Sequence, residues 1–177
     1  MGYTHYFAYS PRTEAFRESW PSMVADTRRI VAHVQSLGIT ITGPMGHGLP
    51  EIAERYIGLN GRIGHESLWI QPDPPDASDD PYAARQYASR GFVWSFCKTA
   101  RKPYDLAVAA ILLRCWQLAP CAFAIASDGH WESEWKLGVP SPRALVASLF
   151  PPDAVECPFS DTTQGPAQRD LVRPEAT

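Results

Sequence analysis

The residues with most chemistry to offer stand together. Phe96-Cys97-Lys98-Thr99-Ala100-Arg101-Lys102-Pro103-Tyr104-Asp105 brings a thiol, three cations, two hydroxyls and a carboxylate into ten positions. The apolar run after Pro103 predicts a helix, so these groups are delivered to a helix N-terminus, where free N–H groups and the positive end of the dipole favour an anion. On that reading Lys98, Arg101 and Lys102 hold a phosphate or carboxylate, and Thr99 and backbone N–H groups orient it. On the plainer reading Asp105 neutralises the helix start and the cations keep a loop hydrated.

Cys97 also has two readings. Strand alternation turns Cys97 and Thr99 to one face and Trp94, Phe96 and Lys98 to the other, which makes the thiol a small core residue if a helix covers its face. If the strand stops at Phe96, the thiol lies among cations at a helix N-terminus. Its pKa then falls, and as a nucleophile it needs a base from His5 or His65.

The acid–base candidates are His5, His65, Glu66 and Asp128. His65-Glu66 follows a glycine turn and opens a predicted strand, where neighbours face opposite ways and do not share one metal ion. His5 lies in Tyr3-Thr4-His5-Tyr6, four polar tips in four residues, which predicts a paired network with or without catalysis. Ser127-Asp128-Gly129 reads as a strand-ending turn. Asp128 becomes a general base, or a cation ligand beside a bound phosphate, only if its rim of the sheet also carries Lys98 and Thr99.

Four of these segments, Met1-Gly2-Tyr3-Thr4-His5-Tyr6, Leu59-Asn60-Gly61 with His65-Glu66, Phe96 to Asp105, and Ser127-Asp128-Gly129, resemble an uncharacterised family of small bacterial and phage-encoded proteins. Its members open with Met-Gly-Tyr-Thr-His-Tyr. The resemblance runs to about Phe150, with Phe7 where similar members carry tryptophan. It implies that the four segments form one unit and supplies no activity. Tyr3, Asn60, Tyr104 and Asp105 lie within them and join the ligand-binding candidates.

The elements that must position these groups follow from periodicity. Tyr3 to Tyr9 alternates as a strand closed by Ser10-Pro11. A helix runs from Ser19, with Pro21 in its first turn, to Gly38. Glu54–Leu59 and His65–Gln71 read as antiparallel strands around an Asn60-Gly61 turn. Phe92 to Thr99 is a strand, Pro103 to Leu118 a buried helix, Ala122 to Ala126 a strand, Trp131 to Leu137 a short helix, and Ser141-Pro142 opens a last helix. The fold class is α+β: a mostly antiparallel sheet with about three helices on one face.

Composition sets the outer limits. With 16 Lys+Arg against 19 Asp+Glu and a net charge of -3, the chain lacks the cationic surplus of a general nucleic-acid binder. The four cysteines show no zinc-site spacing, no cofactor is specified, and nothing reads as a signal peptide or membrane span, so the expected location is the cytoplasm. The 17 prolines concentrate in a Pro/Asp-rich excursion at about 72–90, read as mobile, and in an extended or disordered tail at 151–177, leaving one domain over 1–150.

Three functions fit these residues. The first is binding of a small anionic, phosphate-bearing ligand such as a nucleotide at 97–105, with hydrolase or transferase chemistry as its extension. The second is a non-catalytic protein-interaction module of the host–phage conflict type, contacting its partner through residues 72–90 and the tryptophans. The third is a cysteine-dependent enzyme built on Cys97.

Overall fold

The first strand of the chain becomes the middle strand of a sheet. In the computed structural model, which describes residues 2–159, the elements in chain order are β1 (Thr4–Tyr9), α1 (Glu14–Ser36), β2 (Ile41–Thr42), β3 (Glu51–Ala53), β4 (Tyr56–Gly61), β5 (Leu68–Ile70), α2 (Pro81–Arg90), β6 (Val93–Lys98), α3 (Asp105–Leu118), β7 (Phe123–Ser127) and α4 (Pro142–Leu149). One sheet has the order β6-β1-β7, with both neighbours antiparallel to β1. A second sheet is built on β4, which pairs with β3 at its start, with β2 at its end and with β5 between. The fold is α+β with antiparallel sheets. No helix among the described residues is long and apolar enough to cross a membrane.

Alternation along β1 explains how the core forms. Phe7 and Tyr9 leave one face, stack on Phe123 of β7, and continue through Phe16 to Trp20 on α1. The all-round apolar character of α3 fits its place in the same core, where nine of its 14 residues are buried. The one charged residue among those nine, Arg114, is bonded to Asp26 of α1 and to Asp153 beyond α4.

Several expectations are corrected. α1 starts at Glu14 rather than at Ser19, capped by the Thr13 side chain. Pro21 sits inside it on the exposed side, where solvent can satisfy the Arg17 carbonyl that a proline cannot bond. Ser19 instead donates to the Leu118 carbonyl at the end of α3. The 72–90 excursion contains a helix, α2, with Asp80 accepting from the Tyr82 and Ala83 N–H groups and Gly91 closing it at φ +77°.

His65 and Glu66 lie in the bend before β5, not in a strand, and Trp131 to Leu137 forms successive turns. The start of the expected tail is docked: Asp153 meets Arg114, and Phe159 packs edge-on against Trp131 and Trp135. The rest of that tail lies outside the described residues.

Candidate functional site

The register of the first sheet sets Cys97, His5 and Ser127 side by side on one face, one from each strand. Asp105, the first residue of α3, comes to the same place, and its Oδ1 lies 2.8 Å from His5 Nε2. The donors fix the tautomer. Ser127 Oγ accepts from Gly129 N (3.0 Å) and Trp135 Nε1 (3.3 Å), so its own proton goes to His5 Nδ1 at 3.0 Å. The imidazole proton therefore sits on Nε2, aimed at Asp105, and the Thr99 hydroxyl donates to the same carboxylate oxygen.

Of the four polar tips in the Tyr-Thr-His-Tyr string, His5 belongs to this Ser127–His5–Asp105–Thr99 chain, and its other members come from distant segments. Its order copies a serine nucleophile relay. Ser127 is nevertheless fully buried and already takes two N–H bonds, so no substrate carbon can reach it. The Tyr3 and Trp135 rings close over His5 edge-on at 5.2 and 5.4 Å. Asp105 is the member with partial access, its side chain 22% exposed.

The cations do not converge beside it. Lys98 pairs with Thr4 across the strands and lies on the opposite face, its side chain passing over Gly2. Arg101 lies over the Tyr3 ring at 4.2 Å and reaches Glu134 at 3.3 Å. Lys102 uses its backbone to close the turn with the Thr99 carbonyl. The negative charge that the α3 N-terminus would recruit from a ligand is supplied by Asp105 itself.

Between strand and helix, Ala100 and Arg101 are both left-handed, at φ +52° and +56°. The Ala100 N–H is held there by the Tyr3 carbonyl. A side chain at such an angle costs about 1 kcal/mol relative to glycine. Ala100→Gly is expected to raise stability by about 0.5–1 kcal/mol, read as a higher denaturant midpoint.

The remaining candidates serve the backbone. Glu66 Oε2 accepts from Lys98 N at 2.7 Å while its own N–H donates to the Lys98 carbonyl, closing that end of β6. Asp128 does the same for Thr4: Oδ2 accepts from its N–H, and the Asp128 N–H donates to its carbonyl. Asp128 thus lies on the rim that carries Lys98 and Thr99, but that carboxylate oxygen is engaged. Asn60 is buried and holds Gly61 N, Ser67 and Pro44. The Tyr104 hydroxyl donates to the Glu66 carbonyl and accepts from His65 N, and the His65 side chain is exposed. Tyr104 packs so close under Gly61 that a Cβ there would lie 2.7 Å from its ring.

Cys97 is fully buried inside β6 and donates to the Glu66 carbonyl. Burial first, then the nearby Glu66 and Asp105 carboxylates, push its thiol well above the ordinary range. The condition for a reactive thiolate is not met. With iodoacetamide at pH 8, Cys121, which is exposed, should react as a free thiol. Cys97 should be slower by about three orders of magnitude, because it reacts only when the structure opens. Peptide mapping of the alkylated protein reads this, and comparable rates at the two cysteines would refute it.

No protein-family model, curated protein or solved structure matches the chain. Residue roles therefore rest on its own geometry.

That geometry points elsewhere for a binding space. A cavity of about 810 Å³ lies between β6 and the segment running from Pro75 to Phe92, including α2, within the usual size of ligand sites. Trp69, Tyr82, Trp94 and Phe96 line it. The sequence marked its roof, the Pro/Asp excursion, and its tryptophans, but no local pattern could show that they enclose a volume.

Its strand wall has a further property. Thr99 N donates to the Tyr3 carbonyl, so by antiparallel alternation Cys97 and Ser95 also bond inward to β1, while Lys98, Phe96 and Trp94 direct their N–H and C=O groups outward. Lys98 is closed by Glu66. Phe96 and Trp94 have no such backbone partner among the described residues.

Proposed function

We propose that this protein is a non-catalytic binding module that takes an extended polypeptide segment along the free edge of β6, beneath residues 72–90. The observation that carries this reading is the outward-facing backbone of Trp94 and Phe96 on the wall of a cavity of about 810 Å³. A strand added there makes main-chain hydrogen bonds at alternate residues, and its side chains fall alternately to the two sides of the extended sheet. On one side they meet the Tyr6, Trp94 and Phe96 cluster, whose rings lie 5.7 to 6.5 Å apart and whose Phe96 is 44% exposed.

An open edge is a liability that folds ordinarily blunt with charge, proline or a covering element. Here Glu66 closes one end and α2 stands off the other across the cavity. This reading accounts for the excursion together with Trp69 and Trp94, whereas Trp20, Trp131 and Trp135 are buried in the core.

The test is selection of binders from a randomised library of displayed peptides of about eight residues, followed by amide hydrogen exchange on the complex. Slowed exchange at Trp94 and Phe96 is expected, with binding lost when the peptide amides of one alternate set are N-methylated. Failure to select any peptide, or binding that leaves those two amides unprotected, rejects the proposal.

A further inference from the structure

Resting on the reading of β6 as a docking edge, we infer that the docked segment carries a cationic residue, Lys or Arg, whose head group is held between the exposed rings and the carboxylates of the cavity rim. The charge on the walls selects the sign of the occupant. Asp76, Asp79 and Asp80 line the cavity against one cationic lining residue among the described residues, Arg90, with Arg12 beyond the lining over the Tyr87 ring.

Two of the three carboxylates are held in place without being neutralised. Asp76 Oδ1 accepts from the N–H and hydroxyl of Ser78, bonds that also favour its ionised form. Asp80 Oδ1 caps α2 through the Tyr82 and Ala83 N–H groups. In each, Oδ2 lies outside those bonds. On the same cavity, Trp69 and Tyr82 are 45% and 67% exposed and offer ring faces on which a cation is favoured. The protein itself sets a cation on the ring of one lining residue, with the Arg12 guanidinium 5.7 Å from the centre of the Tyr87 ring.

Other occupants fit less well. A phosphate-bearing ligand would bring like charge to the aspartates. A second copy pairing edge to edge would bring two acidic rims together.

The experiment uses the displayed peptide library on the full chain. Selected peptides should carry Lys or Arg at one fixed position. Replacing that residue by norleucine should weaken binding about tenfold, as should Asp79→Asn and raising salt from about 50 to about 300 mM. Asp79→Asn should leave the melting temperature unchanged, since its carboxylate holds no part of the fold.

If selected peptides protect Trp94 and Phe96 yet show no basic preference, the cationic inference fails and the docking edge stands. If no peptide protects those amides, the edge itself fails. If mass measurements across concentration show a dimer that protects them, the occupant is a second copy and the inference is overturned.

Discussion

Replacement of Arg114 by alanine is expected to lower stability by about 3–5 kcal/mol, the cost of breaking a buried ion pair from one side. The guanidinium sits in the middle of α3 with its side chain 10% exposed, 2.7 Å from Asp26 and 2.6 Å from Asp153. It also lies over the Phe150 ring at 4.2 Å. Without it the Asp26 carboxylate keeps, among the described residues, only the exposed Arg29 at 3.8 Å, too far and too wet to compensate. For a domain of this size each kcal/mol is worth about 2–4 °C, so the melting temperature should fall by about 10 °C.

A double variant separates the buried charge from the packing. Arg114→Met with Asp26→Leu removes both ions and fills the space, and it should recover most of the loss because the desolvation penalty disappears with the pair. The same contact fastens residues 151–153 to α3, so amide exchange there should quicken in Arg114→Ala. A loss below about 1 kcal/mol would place the pair among surface bridges and refute this account.

His5→Ala should cost about 3–4 kcal/mol. It strands the Ser127 proton, worth about 1–3 kcal/mol when buried without a partner, and leaves the partly exposed Asp105 carboxylate with the Thr99 hydroxyl alone. It also opens a hole between Tyr3 and Trp135. The diagnostic is non-additivity. Ser127→Ala alone orphans His5 Nδ1, so the double variant should cost at least about 1 kcal/mol less than the sum of the singles.

Strict additivity in chemical denaturation would mean that the four side chains are neighbours and not a network. Peptide binding at β6 should survive Ser127→Ala, because Ser127 belongs to the helix-covered face and the proposed docking edge is reached from the other side of β6.

The mixture of what was and was not legible in the sequence has a physical cause. Periodicity and capping act between residues a few positions apart, so the buried helix after Pro103, the alternating β1, the strand Phe92 to Thr99 and the Ser141-Pro142 start were all written in local order. The α1 start is not legible because its first turn offers only Phe16 as a large apolar signal, while Pro21 imitates a helix start. α2 was hidden because a helix with no buried residue carries no apolar stripe. The face of Cys97 was legible too, since alternation is a property of a single strand.

The partners across that face were not. His5 meets Asp105 across 100 positions and Ser127 across 122, distances over which only strand order and register decide contact. The same register turned Lys98 away from Arg101 and left Trp94 and Phe96 on an open edge. By itself the sequence determined the class of fold, its main buried helix and the supply of reactive groups. The tertiary structure alone decided which of them meet and where a cavity lies, because a cavity is the space between elements distant in the chain and no local pattern encodes it.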